Sequence, residues 1–184
     1  MDALKNKNRN TYSDYAKWND GIRYELIDGI AYMMSPSPSR IHQGILGRLY
    51  VQLWQFLKGK TCEVYISPFD VRLNVNDNDD NVVQPDLIVV CDKSKLDDNS
   101  CAGAPDMVIE ILSPSSARFD KFVKFQKYQA YGVREYWIVD PASKTVQACV
   151  LENGKYIISA YADTDAAPVH ILKGCAIELS EVFE

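Results

Sequence analysis

Apolar residues recur along the chain with two periods, alternating in some stretches and returning every three to four residues in others, and the changes between them outline the elements. Residues 24–28 and 30–35 are β-prone runs on either side of an Asp28-Gly29 turn signal, and the Pro/Ser-rich stretch Ser35-Pro36-Ser37-Pro38 stops that hairpin. Ile41, Ile45, Leu49, Leu53, Phe56 and Leu57 then recur at helical spacing, with Ser39 placed to cap the start and Gly59 to end the run. This predicts a long amphipathic helix. Residues 62–73 and 82–91 read as strands joined antiparallel through an acidic loop, and residues 107–112 as another buried strand.

After Ser113-Pro114-Ser115-Ser116 the pattern turns helical over residues 117–131 and is stopped by Gly132. An apolar strand follows at 135–140, ended by Pro141. Runs 146–151 and 155–161 flank Glu152-Asn153-Gly154, a hairpin turn because Asn and Gly tolerate positive φ. The short remaining tail is expected to pack on the core. The order supports an α/β fold in which a mixed sheet carries helices on both faces.

Composition narrows the picture. With 184 residues, 47% of them hydrophobic, there is enough material for one core, and no repeat or composition shift marks a linker, so a single domain over 1–184 is expected. Residues 1–20 form a polar N-terminal segment with room for a short helix. They lack the apolar stretch of a secretory signal, and no later run is long enough to span a bilayer. The expectation is a cytoplasmic protein without a membrane partner. The five cysteines, Cys62, Cys91, Cys101, Cys149 and Cys175, are scattered without a Cys-x-x-Cys pair and read as reduced thiols.

A net charge of -5 argues against non-specific coating of nucleic acid, which rests on many phosphate contacts from Lys and Arg. A nucleic-acid partner therefore has to meet a local basic surface. Arg118, Lys121, Lys124, Lys127 and Arg134, with Lys58 and Lys60, are the candidates. The acidic excess is concentrated in residues 76–81 and 92–98, which read as solvated loops.

The chemistry-bearing positions are two carboxylates in otherwise apolar strands, Asp86 in Gln84-Pro85-Asp86-Leu87-Ile88 and Glu110 in Val108-Ile109-Glu110-Ile111-Leu112. An ionised carboxylate among apolar neighbours is costly to desolvate, and two on neighbouring strands repel. A hard divalent cation resolves both penalties, and oxygen donors without thiolates or several imidazoles favour Mg²⁺, or Mn²⁺. On the helix 117–131, Lys121, Lys124, Tyr128 and Tyr131 recur at spacings of three and four, which brings a lysine to the same place. A cation held by Asp86 and Glu110 beside a lysine suits phosphodiester hydrolysis.

These residues resemble the Uma-two family of restriction-endonuclease-like proteins, a branch of the PD-(D/E)xK nuclease superfamily. The resemblance is carried by Tyr24-Glu25-Leu26-Ile27-Asp28-Gly29, His42, Pro85-Asp86-Leu87, Ile109-Glu110-Ile111-Leu112-Ser113-Pro114-Ser115, Asp120 with Lys124 and Tyr128, and Gly132 through Pro141, and it covers nearly the whole chain. It implies a restriction-endonuclease-like fold, with a four-stranded central mixed sheet flanked by α-helices and extended by the C-terminal strands. It implies a Mg²⁺-dependent endonuclease acting on DNA. Asp86 and Glu110 would hold the metal with the backbone carbonyl of Ile111, and Glu25 would complete the acidic cluster. His42, Asp120 and Tyr128 would support them. In the superfamily a Glu-x-Lys motif supplies the water-orienting lysine, but Leu112 stands at that position here. The resemblance moves the role to Lys124 on the following helix, with Lys121 and Lys127 as further candidates. A homodimer is a common arrangement for such nucleases, and the C-terminal apolar strands would offer an interface.

Plainer readings compete at each position. Glu25 reads equally as a surface strand residue opposite Arg23 or Arg40, His42 as an edge-of-core histidine, and the basic helix as a solvated face. Leu112 and the acidic charge balance motivate an alternative of a different class, a catalytically inactive nuclease-fold module that binds nucleic acid or protein. Leu57-Lys58-Gly59-Lys60-Thr61 lacks the first glycine and preceding strand of a P-loop, and Ser113 and Ser115 lie in no Gly-x-Ser-x-Gly elbow. Tyr128, Tyr131, Tyr136 and Trp137 are expected in the core, not in base stacking.

Overall fold

The computed structural model describes residues 9–34, 37–75 and 78–184. The chain begins with a short capped helix, α1 (Tyr12–Tyr15), then the hairpin β1 (Tyr24–Ile27) and β2 (Ile30–Met33). Asp28 and Gly29 both take positive φ, 52° and 76°, as a two-residue hairpin turn of primed type requires. The Pro/Ser break expected next lies partly outside the described residues. Helix α2 (Arg40–Leu57) follows, with the Ser39 side chain accepting from the His42 amide as the sequence predicts.

The two strands predicted over 62–73 and 82–91 are each divided in two, which corrects the sequence reading. Residues β3 (Glu63–Ile66) and β4 (Asp70–Arg72) are separated at the cis peptide Ser67-Pro68, and β5 (Val82–Val83) and β6 (Leu87–Val90) at Gln84-Pro85-Asp86. Neither proline can donate to a ladder, so pairing stops there and the antiparallel ribbon passes from one sheet to another. The Ser67 amide donates to the Asp86 carbonyl across that corner at 3.0 Å.

The remaining elements are β7 (Ser100–Ala102), β8 (Met107–Ile111), a π-helical segment Phe119–Lys124 continuing as α3 (Phe125–Tyr131), and β9 (Glu135–Asp140). The hairpin β10 (Thr145–Glu152) and β11 (Lys155–Ala162) is followed by β12 (Ala166–Pro168), β13 (Ala176–Glu178) and α4 (Leu179–Val182). One sheet has the order β11-β10-β9-β8-β6-β3, with only β8 and β9 parallel. Its β9-β8-β6-β3 part is the expected mixed four-stranded sheet, and β10 and β11 are the expected extension. The second, five-stranded sheet, β2-β1-β5-β4-β7, was not foreseen.

Alternation along the strands of the larger sheet divides the core. Leu87, Val89, Met107, Ile109, Ile111, Trp137 and Val139 pack on one face against Ile45, Leu49 and Leu53 of α2 and against the C-terminal tail. Ile88, Val90, Val108, Tyr136 and Ile138 face the other way, toward Tyr128 of α3 and Val71 and Val83 of the second sheet. Glu110 and Leu112 share the second face by the strand's period of two. Helices on both faces match the sequence reading. Tyr12, Tyr15 and Trp18 cover a small cluster on the smaller sheet.

Two further readings are corrected. Cys62 and Cys91 form a disulfide, because the register Glu63↔Val90 brings the next pair of Cα atoms to 3.9 Å; Cys101, Cys149 and Cys175 are free and buried. Asp80 and Asn81, read as part of a solvated loop, are buried, with Asp80 paired to Arg9 and Asn81 to Tyr131. Among the described residues, no helix is long and apolar enough to cross a membrane.

The two hairpin turns separate backbone strain from steric crowding. A Cβ at Gly29 would meet Arg9 Cβ and Cα at 2.8 and 3.0 Å and the Asn10 backbone nitrogen at 3.1 Å, whereas one at Gly154, also at positive φ, would meet nothing within 4 Å. Gly154→Ala should cost about 1 kcal/mol from its backbone conformation alone, and Gly29→Ala should cost clearly more. Urea unfolding of the two variants checks the order.

Candidate active site

Four buried or half-buried carboxylates, one ammonium and one imidazole converge where the two sheets meet the π-helical segment. Lys124 is central. Its Nζ lies 2.8 Å from Glu25 Oε1, 2.9 Å from Glu110 Oε1 and 3.5 Å from Asp120 Oδ1, with the lysine only 2% exposed. Glu25 comes from β1 and Glu110 from β8, while Asp120 and Lys124 stand in the π-helical stretch. A π-turn widens the helix locally, and such turns concentrate at functional sites. Here the Phe125 amide reaches back to the Asp120 carbonyl, which also accepts from Tyr136 Oη at 3.3 Å.

Supporting hydrogen bonds hold the carboxylates. Tyr128 Oη donates to Glu110 Oε1 at 2.8 Å, and the Gln84 amide donates to Glu25 Oε1 at 2.9 Å. Asp86 occupies the bend before β6, not the strand itself, because Pro85 ends the preceding pairing. Its Oδ2 accepts from the Ile111 amide at 2.8 Å and lies 3.2 Å from His42 Nε2. In a strand the N–H and C=O of one residue leave on the same side, so the Ile111 carbonyl is directed toward Asp86 as well.

The electrostatics follow from burial and an excess of negative charge. Desolvation raises the Glu110 pKa well above the ordinary carboxylate range, Lys124 opposes that, and Asp120, Asp86 and Glu25 add to it. Asp120 is raised for the same leading reason, again against Lys124. For Lys124, burial works to lower the pKa, but Glu110, Glu25 and Asp120 outweigh it and hold the ammonium well above its ordinary value. Burial also opposes protonation of His42, and the hydrogen bond and charge of Asp86 reverse that, so its pKa rises. Tyr128 is raised well above its ordinary value by burial and by Glu110, and remains a donor.

Asp86, Glu110, Ile111, His42, Asp120 and Lys124 line one cleft of 840 Å³. Glu25 and Tyr128 stand behind it and are fully buried, so Glu25 is not the surface residue that the plain reading allowed. Lys127 pairs with Asp28, away from the cluster, and Lys121 stays at the cleft rim, 3.8 Å from Asp140. Lys124 is therefore the lysine that joins the carboxylates. Leu112 is buried on the face that carries Glu110. Lys58 and Lys60 do not extend this surface: they lie over Trp54 and Phe56 at the far end of α2, about 24 Å along the helix from His42.

The donor set suits a hard divalent cation. Among the described residues, no three His, Cys, Asp or Glu side chains converge to bind an ion by themselves. Mg²⁺ does not require that, since it commonly binds through one or two carboxylates and retains water. Glu25 Oε2 and Asp120 Oδ1 are buried without hydrogen-bond partners, and the cluster's negative charge is only partly offset by Lys124. A cation beside Asp86 and Glu110 would relieve that excess.

Sequence reasoning missed Gln84. Its amide holds Glu25, and its side chain donates to Tyr15 Oη and Asp70 Oδ1, both at 2.9 Å, which ties α1 to the site. Its place directly before Pro85-Asp86 was the available clue.

Comparison with known proteins bears on the family and the fold. A family model, Uma2, described as "Putative restriction endonuclease", matches residues 11–180. The uncharacterized protein slr1290 of Synechocystis sp. is 28% identical over 156 residues, 83% of this chain and 80% of that protein. A second uncharacterized Synechocystis protein, sll1609, is 33% identical over 81 residues, 42% of this chain and 44% of its own. The crystal structure of a putative nuclease belonging to DUF820 from Anabaena variabilis superposes with a TM-score of 0.75 at 18% identity, covering 94% of this chain and 97% of that one. At that identity the likeness is one of fold.

Removing the ammonium leaves three carboxylates without their shared partner, so Lys124→Met should destabilise the protein by about 3 kcal/mol near neutral pH. Because the folded pKa of Lys124 is raised, its contribution is fully present below the ordinary lysine value and is lost only at higher pH. Glu110 is also raised, so acidification protonates it early and the penalty of the variant should shrink as pH falls toward the ordinary carboxylate range. Denaturant titrations of both proteins across pH measure this.

Proposed function

The chain belongs to the Uma2 family, and on that premise we propose that it is a Mg²⁺-dependent endonuclease that hydrolyses DNA phosphodiester bonds, with Mn²⁺ able to substitute. The observation that carries the reading is the Lys124 ammonium, seated 2.9 Å from Glu110 in the cleft that Asp86 also lines. Asp86, Glu110 and the Ile111 carbonyl would hold the cation. Bound there, it would polarise the scissile phosphate and acidify a water.

The remaining work belongs to the chain's own residues. Lys124 orients the attacking water and offsets charge that builds on the phosphate in the transition state. Tyr128 keeps Glu110 turned toward Lys124, and Glu25, anchored by the Gln84 amide, holds the ammonium from the opposite side. His42 and the Ile111 amide fix the orientation of Asp86. Lys121 and Arg23, which both line the cleft, would meet phosphates of the substrate.

The non-catalytic alternative rests first on Leu112 and also on the acidic charge balance. Its main support weakens once the ammonium from the next helix stands beside Glu110, because the charge that a Glu-x-Lys lysine would supply is then present.

Calorimetric titration with Mg²⁺ and a plasmid-nicking assay test the proposal on the same preparations. Wild type should bind Mg²⁺ and nick. Glu110→Gln and Asp86→Asn should lose metal binding and at least about a hundredfold in nicking, and Lys124→Ala should lose nicking by a similar factor while still binding metal. A wild type that neither binds Mg²⁺ nor nicks would return the assignment to the binding module.

A further inference from the structure

The basic residues of the π-helical segment and α3 are not equally occupied. Lys121, Lys124 and Lys127 pair with Asp140, with the carboxylate cluster and with Asp28, whereas the exposed Arg118 makes no ion pair among the described residues. Four residues on, Phe122 is 63% exposed, the most of any large apolar side chain among the described residues. Single exposed apolar side chains are ordinary on a protein surface. Phe122 is not single: with Ser115, Arg118, Phe119 and Val123 it lines a recess of 540 Å³, within the range of about 300–1,000 Å³ usual for small-molecule sites.

Three features decide what the recess accepts. Its walls are apolar and aromatic, and Phe119 is a fixed wall, buried with its ring centroid 5.0 Å from that of Tyr32. Arg118 is its one charged lining residue, so it favours an anionic ligand. Ser115 lines both the recess and the cleft, so the two are contiguous, and Lys121, between Arg118 and Phe122 in sequence, lines the cleft side. A flat π-face carried on a phosphate chain that continues into the cleft meets all three conditions, and a nucleotide of a bound strand has that form.

We propose, resting on the nuclease reading, that the recess seats an unpaired base of the DNA strand beside the phosphate held in the cleft. The base stacks on Phe122, and Arg118 meets the phosphate that follows. In a duplex both faces of each base are covered by its neighbours, and unstacking one costs free energy comparable to what stacking on a single aromatic side chain returns. An intact duplex therefore gains little from the recess, while a strand that is already unpaired keeps the full gain. The site selects single-stranded or splayed DNA over blunt duplex.

Fluorescence anisotropy with a labelled single-stranded oligodeoxynucleotide and with the blunt duplex of the same sequence, in EDTA at low salt, tests this without any strand being cut. Wild type should bind the single strand more tightly. Phe122→Ala, which alters only an exposed side chain, should keep the circular dichroism spectrum, weaken single-strand binding by about tenfold and change duplex binding far less, and Phe122→Trp should retain the preference. On an abasic strand of the same length, which keeps the phosphates and lacks the bases, the difference between wild type and Phe122→Ala should vanish. Arg118→Ala should weaken both forms and lower the slope of log affinity against log salt by about one. Absence of single-strand binding, equal affinity for the two forms, equal binding by Phe122→Ala, or a difference that persists on the abasic strand overturns the inference, whatever the nicking assay shows. A wild type that shows the Phe122-dependent preference but neither binds Mg²⁺ nor nicks overturns the nuclease reading and leaves the base site standing.

Discussion

A lysine ammonium that is 2% exposed has to be surrounded by partners, and much of this structure is arranged around that demand on Lys124. Removing a charge from water costs several kcal/mol even after relaxation, so the partners must be close and well oriented. They come from three separate parts of the chain: Glu25 from the smaller sheet, Glu110 from the larger sheet and Asp120 from the helix between them. The ion cluster thus joins the two sheets at the place where their hydrophobic cores also meet. The π-turn is part of this arrangement, because it carries both Asp120 and Lys124 inward while Lys121 stays at the surface.

The two proline-directed corners serve the same end. The breaks at Pro68 and Pro85 let one antiparallel ribbon contribute to both sheets, and Asp86 lies in the second break, where it is not consumed by sheet pairing. A carboxylate at a strand end, with half of its oxygens committed to His42 and the Ile111 amide, keeps an open side toward the cleft. Glu110, one strand away, is buried and strongly perturbed, whereas Asp86 is partly exposed. That asymmetry makes Asp86 the more open carboxylate of the cleft and leaves Glu110 held by Lys124.

The opposite end of the larger sheet has a different character. The strands that carry the site are covered by helices on both faces, while β11, at the sheet's edge, leaves Ile157 and Ile158 exposed.

The elements, the pair of carboxylates in apolar runs, the helix stop at Gly132 and the hairpin at Asn153-Gly154 were legible in the sequence, because each depends on local periodicity or on φ preferences within a few residues. Asp86 and Glu110 could be singled out for the same reason, since charges in apolar surroundings stand out along the chain, whereas Lys124 was singled out among the helix lysines only by the family resemblance. The rest depended on tertiary structure. Which lysine turns inward was decided by the π-turn, the burial of Glu25 by its contact with the Gln84 amide 59 residues away, and the Cys62–Cys91 disulfide by the register of β3 on β6. The splitting of two strands between two sheets followed from where both prolines came to lie together. In each case the deciding partner is distant in sequence, so local pattern names the candidate residues and only the packed fold determines which of them meet.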